Sequence, residues 1–192
     1  MIFETARLLI RKAEPLPSDV DLLYSVWTNP QVMKNVGFPQ GLKTTKEKIL
    51  SDIKNHDDTE FSQYLIVEAK AGNELIGECK LMLPDKEGVS ETDVKLLPKY
   101  WGKGYGTEIK KGLICYLFKN TDCSAVQATP NKGNIASVKM QEAVGGKRVG
   151  EGVWCPAHKS TIGDAVEVPH YIYRVFKEDW LKRGINNEQK TR

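Results

Sequence analysis

Apolar and polar positions along the chain change period several times, and each change predicts an element. Arg7-Leu-Leu-Ile-Arg-Lys12 reads as a first strand. Asp19 to Trp27 spaces its apolar residues as a helix, capped by Ser18 and ended near Asn29-Pro30. Thr45 to Asn55 repeats the helical period, with Ile49, Leu50 and Ile53 on one face. The period then shortens. Phe61–Ala69 and Glu74–Leu83 are β-rich runs joined by Ala71-Gly72-Asn73, a hairpin signal. Pro84 to Gly88 is a turn, and Asp93 to Leu97 a strand. An amphipathic helix follows to about Lys119, with Ile109, Leu113, Leu117 and Phe118 facing inward. Ala125–Thr129 is a short strand, and Asn134–Val144 a helix closed by Gly145-Gly146. Lys147–Trp154 and His170–Phe176 read as two closing strands around a long polar loop. This order implies an α/β domain, a mixed and mostly antiparallel sheet with helices on both faces. No repeat or linker interrupts it, so one domain is expected over residues 1–180, with a polar tail over 181–192.

The densest chemical signal is the turn Tyr100-Trp-Gly-Lys-Gly-Tyr-Gly-Thr107, which opens the long helix. Gly102, Gly104 and Gly106 let the backbone fold tightly and aim several N–H groups at one point. The helix adds its own unpaired N–H groups and the positive end of its dipole. Such a corner binds phosphate. A Walker A loop would need a Gly-x4-Gly-Lys-Ser/Thr spacing that the chain lacks. A dinucleotide fingerprint would need glycine where Thr107 stands, near the start of a parallel βαβ unit rather than after a meander.

Three blocks, in order, resemble the GNAT acyltransferase superfamily, in particular its RimJ/RimL-type branch of ribosomal-protein N-terminal acetyltransferases. Glu4-Thr-Ala-Arg-Leu-Leu-Ile-Arg11 resembles the opening strand, and Leu97 to Glu108 the pyrophosphate loop. Asn134 to Gly145 resembles the second cofactor helix, and Tyr171–Phe176 a closing strand. The likeness covers about residues 3 to 180 and implies the GNAT fold with acetyl-CoA as co-substrate. It implies that backbone groups of Lys95, Leu96 and Leu97 pair with the pantetheine amides. The N–H groups of Trp101, Gly102, Lys103, Gly104, Tyr105, Gly106 and Thr107 would hold the pyrophosphate. Asn134 would bond the pantetheine arm, and Ser137 would lie near the thioester sulfur. Asn is also a favoured helix cap, so Asn134 has that competing role. The superfamily's frequent leaving-group acid is a tyrosine seven residues after the Asn, where this chain has Gln141; Ser137 is the remaining acid. Gly146 stands where the branch usually has Phe, so the pocket shape beside that helix differs.

Acyl transfer from a thioester to an amine needs a base for the amine, a donor for the oxyanion and a proton for the thiolate. Glu78 and Glu91 are the leading base candidates, then Asp93, His158 and His170. A carboxylate on a polar strand face is more often merely solvated. The expected acceptor is a protein N-terminal amine; a polyamine, amino sugar or drug is the alternative, with residues 29–45 and 154–168 forming the cleft. A non-catalytic acyl-CoA sensor is the rival of another class, and a homodimer is compatible with the superfamily.

Composition narrows the field further. The 192 residues are 40% hydrophobic and 28% charged, an ordinary globular balance. A net charge of +3 is too small to argue for nucleic acid. No apolar run spans a bilayer, and Met1–Arg7 lacks a signal peptide's basic-then-apolar design, so a cytoplasmic protein is expected. Cys79, Cys115, Cys123 and Cys155 are scattered and read as reduced thiols. Cys155-Pro-Ala-His158 has marginal metal spacing without a second pair, and no metal is expected.

Overall fold

A computed structural model describes residues 1–57, 59–154 and 164–189, without the side chains of 184–189. Eight strands form one sheet in the order β1-β2-β3-β4-β5-β6-β8-β7. They are β1 Phe3–Glu4, β2 Leu8–Lys12, β3 Leu65–Ala69, β4 Glu74–Leu81, β5 Val89–Leu96, β6 Ala125–Ala128, β7 Lys147–Trp154 and β8 Val168–Phe176. The helices are α1 Pro17–Trp27, α2 Pro30–Met33, α3 Lys46–Lys54, α4 Tyr105–Asn120, α5 Ile135–Ala143 and α6 Lys177–Gln189. Every neighbouring pair of strands is antiparallel except β5 and β6, which are parallel because α4 crosses between them. This is the mixed, mostly antiparallel sheet with helices that the sequence order implied.

Strand alternation sends successive side chains to opposite faces. Leu65 and Val67 of β3 pack with Leu81 and Leu96 under α4, against Ile109, Leu113, Ile114 and Leu117. Ile66 points the other way, into Val20, Leu23, Val26, Ile49 and Ile53 of α1 and α3. Each fully buried aliphatic contributes about 2 kcal/mol. Asp19 anchors α1 on β2: it is fully buried and accepts 2.6 and 2.8 Å hydrogen bonds from both Arg11 terminal nitrogens. Gly112 admits the Phe3 ring, which a Cβ there would meet at 2.4 Å. That close approach carries the β1–β2 turn over the first turn of α4.

Several boundaries differ from the sequence expectation. Ser18 does not cap α1; Leu16 holds that position without a side-chain bond, and Pro17 opens the helix. β3 begins at Leu65 rather than Phe61, because Ser62 adopts a left-handed φ of 58° and turns the chain. β5 begins at Val89, four residues before Asp93, since Ser90–Asp93 pair with their neighbours although they are polar. The segment read as a polar tail is largely α6, whose Trp180 packs against Phe118. Residues 30–36, read as loop, form α2 and a single 3-10 turn.

Candidate active site

The glycine turn is built as a cradle. Gly102 and Gly104 have φ of +73° and +77°, a region L side chains rarely occupy. A Cβ at Gly102 would meet nothing within 4 Å among the described residues, which leave the space in front of the turn open. Gly104 is the N-cap of α4, and no side chain caps the helix. The first-turn N–H groups at Gly104 to Thr107 therefore lack intrahelical acceptors and face outward with the positive end of the dipole. The Trp101 N–H, expected to join them, already donates to the Pro98 carbonyl at 3.1 Å. Its indole Nε1 donates to the Leu96 carbonyl at 2.8 Å, which pins the turn to the end of β5.

A side-chain latch holds the cradle from below. Arg7 Nε donates to Glu108 at 2.6 Å, and an Arg7 terminal nitrogen donates to the Lys103 carbonyl at 3.1 Å. The Arg7 backbone N–H and the Thr5 hydroxyl also donate to Glu108. Burial would raise the Glu108 carboxyl, but Thr5 and Arg7 hold it below the usual range. The guanidinium lies 4.5 Å over the Tyr105 ring. The sequence reading placed Arg7 in a strand and missed this role.

Beside the cradle the sheet forks. The β5–β6 ladder runs from Val89↔Ala125 to Glu91↔Gln127 and ends there, while β5 continues to Leu96. Leu97 N–H donates to the Ile76 carbonyl of β4 at 3.0 Å. By antiparallel alternation, Lys95 shares that side and the polar groups of Val94 and Leu96 face the fork. The edge left for a ligand is thus carried by Val94 and the Leu96 N–H, the Leu96 carbonyl being taken by the Trp101 indole, rather than by all of Lys95–Leu97. Asn134 is the N-cap of α5, and its Oδ1 accepts from the Ser137 N–H at 3.2 Å. Its amide nitrogen has no hydrogen-bond partner among the described residues, and Ser137 is half-buried in the first turn. Gln141 is 3% exposed.

On the α1 face of β4 and β5 lies a charged cluster. Glu78 is buried, and its Oε1 accepts from Trp27 Nε1 at 2.8 Å and sits 3.3 Å from Lys95 Nζ. Its Oε2 is buried without a hydrogen-bond partner among the described residues. Lys95 also binds Asp93. Burial alone would lower the Lys95 amine, but Asp93 and Glu78 override it and keep the ammonium protonated well above the usual range. Lys95 in turn holds Asp93 low against the opposing effect of burial. The indole of Trp27 stacks edge-on against Tyr64 at 4.7 Å. Glu91 is exposed and engaged, accepting from Gln127 Nε2 at 2.6 Å. His170 is half-buried, with Nδ1 3.3 Å from the Val168 carbonyl. His158 and Cys155 lie outside the described residues. Among the described residues no group of His, Cys, Asp and Glu could hold a metal ion. A cavity of about 680 Å³ lined by Asp122, Lys147 and Phe176 lies past the far end of α4 and touches none of these groups.

Residues 7–147 match the model of the acetyltransferase (GNAT) domain. The uncharacterized N-acetyltransferase YnaD of Bacillus subtilis (strain 168) is 27% identical over 180 residues, covering 94% of this chain and 99% of its own. A GNAT-family acetyltransferase from Bacillus anthracis superposes with a TM-score of 0.72 at 25% identity, covering 91% of this chain and 98% of its own. Spermidine N-acetyltransferase from Vibrio cholerae, solved with CoA and spermine, has a TM-score of 0.73 at 17% identity, covering 92% and 99%. At that identity it shows a shared fold.

Proposed function

The chain belongs to the acetyltransferase (GNAT) family, and from that premise we propose that it moves the acetyl group of acetyl-CoA directly to a primary amine. The uncapped glycine cradle beside the unpaired edge of β5 carries this reading. The cradle receives the pyrophosphate on the N–H groups of Gly102 to Thr107. The pantetheine arm would pair with the Leu96 N–H and the Val94 backbone as an added strand would, and Asn134 would contribute its amide nitrogen. The Val94 N–H is the oxyanion donor, since it faces the fork at the arm's inner end. Glu78 is the general base. A buried carboxylate oxygen without a partner costs about 1–3 kcal/mol, and an acceptor amine would supply the missing donor. Ser137 would hydrogen-bond the thioester sulfur.

The acceptor is a protein N-terminal amine, as the RimJ/RimL-type blocks suggest. A second reading has its own observation: Asp93 and Glu91 lie on the same face as Glu78. They would suit the further ammonium groups of a polyamine, the acceptor named for the Vibrio cholerae neighbour. Calorimetric titration with acetyl-CoA, followed by a free-thiol assay against amines and N-terminal peptides, separates the readings. Tight binding with thiol release on peptides supports the first, and release on polyamines alone the second. Binding without release from any acceptor points to a sensor, and absence of binding overturns the reading of the cradle.

The latch predicts a smaller effect. Arg7→Ala frees Glu108 next to the phosphate site and removes one positive charge, so acetyl-CoA affinity is expected to fall about fivefold, near 1 kcal/mol. Unchanged affinity in the same calorimetric titration would show that the cradle holds its shape without the latch.

A further inference from the structure

The first helical turns of α4 contain a residue that the proposed roles leave unused. Lys110 is 1% exposed and its ammonium has no carboxylate partner among the described residues; its Nζ meets the Thr92 hydroxyl instead. The Ser90 hydroxyl, on the same face of β5, is buried without a partner among the described residues. Thr92 is the residue just past Glu91↔Gln127, the last β5–β6 pair. The Lys110 nitrogen therefore sits where the two strands part, at the inner end of the edge offered to the pantetheine arm. An arm paired at Leu96 and then Val94 runs back toward Thr92, about 13 Å along the strand at 3.3 Å per residue. The sulfur of an arm so paired would end near this amine.

Resting on the acetyl-CoA reading, we propose that Lys110 is the proton donor to the departing CoA thiolate. As the tetrahedral intermediate collapses, the carbon–sulfur bond breaks and sulfur leaves with the electron pair. A proton passes from Lys110 Nζ to sulfur, leaving a neutral amine on Thr92 and free CoA thiol. The proton that Glu78 takes from the acceptor amine returns to water, and Lys110 is reprotonated from water as CoA departs. A serine hydroxyl can hydrogen-bond a sulfur but is a poor source of a whole proton, so Ser137 and Lys110 have separate parts. Burial lowers the Lys110 amine from 10.5 to about 7, with Asp93 and Glu91 pulling the other way. Charged groups on the other elements packed against α4 are either exposed or turned elsewhere. Lys139 and Glu142 of α5 are exposed, Glu4 of β1 pairs with Lys70, and Glu78 and Lys80 of β4 take the opposite face. Pyrophosphate at Gly106, one helical turn away, favours the charged form and readies the donor.

Lys110→Met keeps the shape of the side chain and removes the proton. Its kcat is expected to fall about 100-fold, with acetyl-CoA affinity within about threefold of wild type and a melting midpoint no lower. The wild-type kcat declines at alkaline pH as Lys110 loses its proton, and that limb is absent in the variant. Thr92→Val leaves the amine but unseats it, and is expected to lower kcat about tenfold while keeping the alkaline limb. Wild-type kcat in Lys110→Met, with the limb intact, would overturn the assignment. Wild-type protein that fails to bind acetyl-CoA or release thiol would instead overturn the reading on which it rests.

Discussion

Gly104→Asp is expected to weaken acetyl-CoA binding at least 100-fold, about 2.7 kcal/mol, and to leave no measurable turnover at ordinary cofactor concentrations. Two effects combine. The first is conformational: Gly104 has φ of +77°, where a side chain costs roughly 1 kcal/mol, and less for aspartate than for most residues. The second is electrostatic and larger. The new carboxylate would stand at the N-terminus of α4, among the N–H groups proposed to face the pyrophosphate. Its Cβ would lie 3.5 Å from an Arg7 terminal nitrogen, so it would also draw the guanidinium from Glu108. Gly104→Ala isolates the strain, because its methyl meets no other heavy atom within 4 Å and adds no charge. That variant is expected to lose about fivefold in affinity. Calorimetry on both decides the matter: equal losses would mean backbone strain alone, and near-wild-type binding by the aspartate variant would remove the pyrophosphate from this turn.

The two variants also show why the cradle was legible in the sequence and the rest of the site was less so. Glycine spacing ahead of an amphipathic run encodes a local geometry, a left-handed turn feeding a helix, and needs no tertiary information. The same holds for Asn134, whose capping of α5 the residue type foretells. The fork does not work this way. Ser90 to Thr92 are polar, so the pattern began the strand only at Asp93, yet Ser90 is fully buried and Thr92 nearly so. Their burial depends on α4 crossing over β5, a long-range fact. Lys110 is hidden for the same reason: Ile114 and Phe118 continue its stripe of the helix, and a lysine in that stripe looks like an ordinary surface residue. Backbone direction was the other blind spot. Residue names cannot say that Leu97 N–H is bonded to Ile76, or that Trp101 N–H is bonded to Pro98, because register decides both. Arg7 failed differently: its partner Glu108 is 101 residues away, and the two meet where β1 crosses α4 with Phe3 against Gly112.

Glu78→Gln is expected to lower kcat by a factor of 100 to 1,000 while leaving acetyl-CoA affinity within about twofold, in keeping with the usual contribution of a positioned base. Glutamine matches the shape of glutamate and can keep an oxygen on Trp27 Nε1, so the indole and its packing on Tyr64 stay in place. Lys95 retains Asp93 as counter-ion, which limits rearrangement of the cluster. What disappears is the charged oxygen that has no hydrogen-bond partner among the described residues. Glu91→Gln provides the contrast, since Glu91 is exposed and already holds Gln127; turnover within about twofold of wild type is expected if the acceptor is a single amine. A rise of tenfold or more in KM for a polyamine, with kcat unchanged, would instead make Glu91 part of the acceptor cleft. Initial rates against both substrates resolve these outcomes. Turnover near wild type in Glu78→Gln would move the base elsewhere, with Asp93 next because it shares Lys95 and remains partly open to solvent.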